Sequence, residues 1–292
     1  LLLSILLNPK TYGVVDYKIL YENDISLWYL TKKGYKQTYQ LSNKLINEKF
    51  FRKIISDSEK LNDDLKSYQV TQLNEKNIVV EWQKYLKITN EFGRLYRFYE
   101  QPFQQKLENT VLEYISEKEL IKRLTNLSKQ QIEKIDLEEE AKEALKKLFI
   151  LGEMKLELHN NASSLATTDL MKFISFVASH NNLSTEIVSA FTINEFMDIL
   201  QGKFPRINLI KGRLGGCAIV KQKNKWCFET GNKYLYFKNK IISNQEKVIS
   251  GNVAYPGKIK GKVVLHQSWT NTTQINKGEI LVTGMTNPQM VP

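Results

Sequence analysis

Cysteine is scarce in this chain: only Cys217 and Cys227 occur in 292 residues. Their spacing matches no zinc pattern, which needs two close cysteine pairs or added histidines. A chain of this length can build its own core and needs no disulfide staple, so reduced thiols and a cytoplasmic setting are expected. Histidine is scarcer than its usual roles require: His159, His180 and His266 are the three present, and they are far apart. No metal site is expected from them. No apolar run approaches the ~20 residues of a membrane span. The opening Leu1–Leu7 stretch is too short for one and lacks the basic flank and small-residue cleavage site of a signal, so it reads as the end of a buried element. Internal repeats and low-complexity tracts are also missing.

Acid is short as well. Lys and Arg total 42 against 31 Asp and Glu, a formal charge of +11. Such a balance can mean nucleic acid, a membrane surface or acidic ligands. Here the lysines are spread along the chain with frequent Asn and Ile, and no dense basic run occurs. Compositional bias is therefore placed ahead of a nucleic-acid face, and a membrane partner is not expected. A basic RNA-binding protein stays open as a third reading, which predicts steeply salt-dependent binding.

What is present describes a globular chain. Hydrophobic residues make up 42% and charged residues 25%, and the length allows two domains. Residues 1–40 are mixed, with a hairpin expected from the β-branched and aromatic runs Val14–Glu22 and Ile25–Leu30, and a turn at Lys32–Lys36. Residues 41–203 read as helical. Trp82, Leu86, Phe92, Tyr96, Tyr99 and Phe103 recur at helical steps, and Pro102 should end or kink that helix. Ser116 with Glu119, Asp136 with Glu139 and Thr192 with Glu195 are capping-box pairs. Ala141, Leu145, Leu148, Phe149 and Leu156 continue one apolar face. Gly202 sits where a glycine C-cap belongs. Residues 204–249 read as a small β connector, with strands at Cys217–Val220, Lys225–Glu229 and Lys233–Phe237 and a turn at Gly212–Gly216. Residues 250–292 again hold strands, at Ile259–His266 and Glu279–Thr283. The fold class is α+β: a mostly helical body, a small β connector and a β/α segment.

Three ordered blocks carry a resemblance. The first is Ala254-Tyr255-Pro256-Gly257, followed by Gly261 and Val263. The second is Lys277-Gly278-Glu279-Ile280-Leu281-Val282-Thr283. The third is Met285-Thr286-Asn287-Pro288 with Pro292. In order and spacing they resemble the opening of the swivelling phosphohistidine domain of phosphoenolpyruvate-utilising enzymes. That family includes phosphoenolpyruvate synthase, pyruvate phosphate dikinase and rifampin phosphotransferase. Leu151-Gly152-Glu153, Phe191–Glu195 and Arg213 are a weaker echo of the helical segment before that domain. Pro256, Gly257, Gly261, Gly278, Thr286 and Pro288 are the motif positions, and their part is structural. Glycines permit tight backbone paths, prolines fix φ, and Thr286 can close a turn.

The resemblance implies a phosphotransferase that relays phosphate from ATP or phosphoenolpyruvate through a carrier histidine to a small-molecule acceptor. In the family that histidine follows these blocks by about twenty residues, in a Gly-Gly segment. The carrier is therefore expected after Pro292, and the chain reads as a piece of a larger protein. His266 lacks the Gly-Gly approach, and His159 and His180 belong to helices, so none of the three is taken as the nucleophile. ATP and Mg²⁺ are implied for the intact protein and none is expected to be bound by this part. Other modules of the same enzyme are the expected partners. The alternative is a non-catalytic protein that keeps the mobile domain as a binding or regulatory module. Two local features have plainer readings. Gly212–Gly216 with Arg213 could cradle a phosphate but lacks the Lys-Ser/Thr of a P-loop, and the stripe from Trp82 to Phe103 could line a ligand groove but is more simply core.

Overall fold

The computed structural model describes residues 16–22, 25–126, 129–222, 225–242, 257–266 and 276–283. The chain divides into two compact units, Leu1–Tyr236 and Phe237–Pro292. The fold is α+β and mostly helical, with one small antiparallel sheet and one small parallel pair.

In the first unit, β1 (Tyr17–Glu22) and β2 (Ile25–Leu30) form the expected hairpin, with Ile19 opposite Trp28. A lone hairpin is marginal in water. This one is extended by β3 (Cys217–Gln222) and β4 (Lys225–Thr230), giving one sheet of order β2-β1-β3-β4. Segments 1–40 and 204–249, distant in sequence, thus meet through Lys18–Tyr21 and Cys217–Val220. Alternation of side chains explains the join. Ile19, Cys217 and Ile219 fall on one face and bury together against Trp28, Trp226 and Phe228.

Helix α1 (Lys32–Ile46) starts directly after β2. The sequence Lys32–Lys36 is therefore helix and not the expected turn. The Thr31 hydroxyl caps it by accepting the Gly34 N–H at 3.0 Å, and itself donates to the Asp16 carboxylate at 2.9 Å. Gly34 is there for close approach: a Cβ would stand 2.1 Å from the Asp16 carbonyl oxygen.

The body continues with α2 (Glu48–Ser67) and α3 (Ile78–Tyr96). A short tight turn, Arg97–Tyr99, and extended Glu100 separate α3 from α4 (Gln101–Leu112). The break expected at Pro102 thus falls a few residues earlier. Pro102 occupies the first turn of α4, where its missing N–H leaves no bond unmade. Next come α5 (Glu117–Asn126), α6 (Lys129–Glu133) and α7 (Glu139–Asn161). Ser116 caps α5, accepting the Glu119 N–H at 3.3 Å. Asp136 does not cap α7. The chain makes a further turn in which Ile135 and Leu137 pack on the core, and the cap position falls to Glu138. Leu145 and Leu148 of α7 are buried, but Leu156 is 63% exposed; the buried stripe runs through Leu151, Met154 and Leu158 instead.

A π-helical turn, Leu165–Asp169, leads into α8 (Leu170–His180), then α9 (Thr185–Ser189), α10 (Ile193–Leu200) and α11 (Ile207–Leu214). Thr192 and Glu195 form a complete capping box. Gly202 ends α10 at φ +77. Its N–H donates to Ile199 at 3.0 Å and the Lys203 N–H to Asp198 at 2.8 Å, the paired bonds of a Schellman cap.

Two expectations about residues 204–249 are corrected. Gly212 is inside α11 and Gly215 caps it, so Gly212–Gly216 is not a β-turn. Lys233–Phe237 is not a strand but part of α12 (Gly231–Ile242). Short apolar runs do not distinguish strand from helix by themselves. Here only Tyr234 is turned inward, 3% exposed, while Leu235 and Tyr236 face out. Gly216, at φ +127, lies under the Tyr234 ring; a Cβ there would be 2.5 Å from it.

In the second unit, β5 (Lys262–His266) and β6 (Glu279–Thr283) pair in parallel, with Val263 opposite Ile280 and His266 opposite Thr283.

Candidate functional site

The first two motif blocks fold onto β5 and β6. Gly261 immediately precedes β5, and a Cβ there would stand 2.2 Å from the Gly278 carbonyl oxygen and 3.3 Å from Ile280 Cγ1. Gly278 precedes β6 at φ +93, a backbone region that favours glycine. The turn before it is closed by the Glu279 N–H, which donates to the Asn276 carbonyl at 3.1 Å. The Glu279 carboxylate in turn accepts the Asn276 N–H at 2.9 Å. That bond, helped by Lys262 at 3.8 Å, holds the Glu279 carboxyl below its ordinary range. The structure therefore brings Gly261 and Gly278 together. Gly257 stands apart, with no atom within 4 Å of a Cβ built on it. Pro256, Thr286 and Pro288 lie outside the described residues. What is described of this region is scaffold: it sets two strands in register, and its one described ion pair, Lys262 with Glu279, joins those strands.

The aromatic stripe is core rather than groove. Trp82 and Tyr85 are fully buried. The Trp82 ring lies 5.2 Å from Tyr85, 5.1 Å from Phe173 and 4.3 Å from Phe196. Tyr85 donates its hydroxyl hydrogen bond to the Leu165 carbonyl at 2.8 Å, and Tyr99 donates to the Ser58 hydroxyl at 2.6 Å. Phe103 is 1% exposed. Phe92 and Tyr96 are half-buried and stacked on each other at 4.8 Å. The stripe is thus core, as the simpler reading had it, and the alternative of a ligand groove fails at Trp82, Tyr99 and Phe103, which interior neighbours seal.

Arg213 is committed too. It donates to Glu195 at 2.6 and 2.9 Å and to the Ala190 carbonyl at 3.0 Å. Its guanidinium lies 5.1 Å from the Phe228 ring. Burial pushes the Glu195 carboxyl up, but the Arg213 bonds and the Thr192 N–H outweigh it and hold the group below its ordinary range. With Gly212 helical and Arg213 engaged, the phosphate cradle is not formed.

Neither the cysteines nor the other histidines make a reactive centre. Cys217 pairs in register with Thr230 and Cys227 with Val220, so the thiols point to opposite faces and both are free. Burial pushes the Cys217 thiol up to about 11. His180 is exposed, stacked on Phe176 at 5.8 Å and 3.8 Å from Glu75. His159 is exposed. Among the described residues no cluster of three or more His, Cys, Asp or Glu could hold a metal ion. The described residues do not fit ATP or Mg²⁺, since they offer neither a glycine phosphate loop nor a carboxylate set. Among them, no helix is long and apolar enough to cross a membrane.

One cleft went unnoticed in the sequence. It has a volume of about 410 Å³ and is bounded by Tyr68, Glu81, Lys84 and Ile88. Glu81 is only 6% exposed and accepts from Lys84 at 2.8 Å. The Tyr68 hydroxyl is buried without a partner, and burial, with Asp169 and Glu81 adding to it, pushes its pKa up. The signal was available: Ile78, Glu81, Trp82 and Tyr85 share one helical face, which places an acid on the buried side. Its chemistry stops at a neutralised ion pair. No protein-family model, no curated protein and no solved structure matches this chain.

Proposed function

We propose that this chain is part of a phosphotransferase of the phosphoenolpyruvate-utilising kind and that its second unit contains the opening of the mobile carrier domain. One observation carries the reading. Two family-like blocks, Gly257–Val263 and Lys277–Thr283, fall on adjacent parallel strands, with Gly261 against the Gly278 carbonyl at a distance no side chain tolerates. Parallel pairing of strands separated by a connection is the geometry of a β/α domain.

On this reading the carrier histidine follows Pro292. ATP or phosphoenolpyruvate supplies the phosphoryl group to its imidazole, and the acceptor is a small molecule. Nucleotide and Mg²⁺ are held by another module of the intact protein, in the cytoplasm. The helical body and its sheet serve as the platform to which the carrier is tethered.

The test is to express the complete gene product and incubate it with radiolabelled ATP or phosphoenolpyruvate. Acid-labile, base-stable label on a histidine beyond residue 292 is the expected result. A complete gene product without such a histidine, or one that takes no label from either donor, overturns the enzyme reading in favour of a binding module.

A further inference from the structure

We propose that the cleft between the end of α2 and the middle of α3 binds a free α-amino acid with an apolar side chain. The cleft, of about 410 Å³, is lined by both helices and by the segment that joins them. Small-molecule pockets start at about 300 Å³. The Glu81–Lys84 pair offers no reacting group. What it offers is a carboxylate and an ammonium side by side in one cavity, which is the complement of an amino-acid head.

Glu81 is the fixed member of the pair. Its side chain is 8% exposed, and Lys84 donates to it at 2.8 Å. Lys84 is the movable member, with a side chain 60% exposed. An ion pair with one end in solvent holds weakly, because ordering a long side chain offsets most of the attraction. A ligand ammonium can therefore take the place at Glu81 while Lys84 turns to the ligand carboxylate. The exchange keeps both side chains paired, so the buried carboxylate is not stranded. Lys87, exposed on the same cleft, is a second cation for the carboxylate.

The remaining side chains narrow the ligand class. Three acids line the cleft, Asp64, Glu81 and Glu91, and they disfavour a plain anion. Glu91 is already held by Arg94 at 2.6 Å, which leaves Glu81 as the buried carboxylate for an ammonium. Lys84 and Lys87 disfavour a diamine, whose second ammonium would meet one of them. A zwitterion answers both signs. Ile88, half-buried, and Leu61 of α2 line the same cleft and give an apolar side chain a surface on which to leave water.

The experiment is isothermal titration calorimetry of the full chain with L-leucine at millimolar concentration. Isocaproate, which lacks the amine, and isoamylamine, which lacks the carboxylate, should each bind about tenfold more weakly than leucine or worse. Glu81→Gln keeps the shape, removes the charge and should weaken leucine by about tenfold or more. Lys84→Ala combined with Lys87→Ala alters two exposed side chains where folding is not at stake. It should erase the preference for leucine over isoamylamine, because the carboxylate has lost its partners while Glu81 is freed. Lys49→Ala, about 22 Å along α2 from Asp64, is the control and should leave affinity unchanged. No binding of leucine to the parent overturns the proposal, as does leucine binding indifferent to Glu81→Gln or a preference that survives the double lysine variant. Leucyl-glycine binding as tightly as leucine also overturns it, in favour of a peptide N-terminus. The cleft lies in the first unit, so none of these outcomes bears on the carrier histidine.

Discussion

Glu195 and Arg213 hold each other through two bonds, 2.6 and 2.9 Å long, across the gap between α10 and α11. Glu195 also closes the cap of its own helix by accepting the Thr192 N–H at 2.7 Å. Arg213 extends the pair to the sheet through Phe228. One ion pair therefore ties a helix start, a second helix and β4 together. Both side chains are largely sequestered, 14% and 22% exposed. Removing one partner leaves the other charged and under-solvated, at a cost of about 2–4 kcal/mol. Arg213→Ala should lower stability by that amount in urea unfolding.

The same pair sets a pH dependence. The Glu195 carboxyl is held below its ordinary range in the folded chain. A depressed folded pKa contributes stability that is complete above the unfolded value, about 4.3 for glutamate. That contribution is lost as pH falls through the folded value. Unfolding followed from pH 7 to pH 3 should show stability flat at first and falling below about 4.3. Glu195→Gln should be less stable at pH 7 and lose less on acidification. Parallel falls in the two proteins would mean that other carboxylates govern acid unfolding.

Gly261 and Gly257 look alike in the sequence, and the structure separates them. A methyl group at Gly261 collides with the Gly278 carbonyl, while one at Gly257 meets nothing within 4 Å. Gly261→Ala should disrupt the β5–β6 pairing, read as faster amide exchange or proteolysis within residues 257–283. Gly257→Ala should stay within about 0.5 kcal/mol of the parent, as surface substitutions do. The first unit should melt unchanged in both. Equal behaviour of the two variants would remove the strand pairing on which the carrier-domain reading rests.

Trp82 tests the helical core. Its ring is enclosed by Tyr85, Phe173 and Phe196. Trp82→Ala should cost about 3–5 kcal/mol by the loss of buried area and the cavity left behind. Trp82→Phe should cost about 1–2 kcal/mol, since most of the volume is kept. A loss below about 1 kcal/mol for the alanine variant would mean that the ring is not buried as described.

Legibility followed the range of the forces. The β1–β2 hairpin, the Thr192–Glu195 box and the Gly202 cap are decided within a few residues, and the sequence states them. The pairing of β1 with β3 joins residues about two hundred apart and no local pattern encodes it. Lys233–Phe237 reads as a strand because a short aromatic run fits either period. In the helix it forms, Tyr234 is the residue turned inward, against Gly216. Asp136 looks like a cap until Ile135 and Leu137 claim the turn for the core. For the candidate site, the blocks around Gly261 and Gly278 were legible as spacing, and the contact between the two glycines was not. Glu81 was legible from periodicity and was missed.

The two cysteines should differ in reactivity for reasons of placement. Cys217 is 2% exposed, and burial pushes its thiol up to about 11. At pH 8 its thiolate is then about a thousandth of the total, and reagent has no path to the sulfur. Cys227 is half-buried on the opposite face of the hairpin, near the Lys225 carbonyl at 3.9 Å. Titration with a chromogenic disulfide should modify one thiol per chain in the native protein and two after unfolding. Cys217→Ser should leave the fast native phase intact, whereas Cys227→Ser should abolish it. The slow thiol then reports sheet opening, because β3 must leave the Ile19 cluster before Cys217 is reached. Two fast thiols in the native chain would show that the sheet joining the two ends of the first unit is not closed.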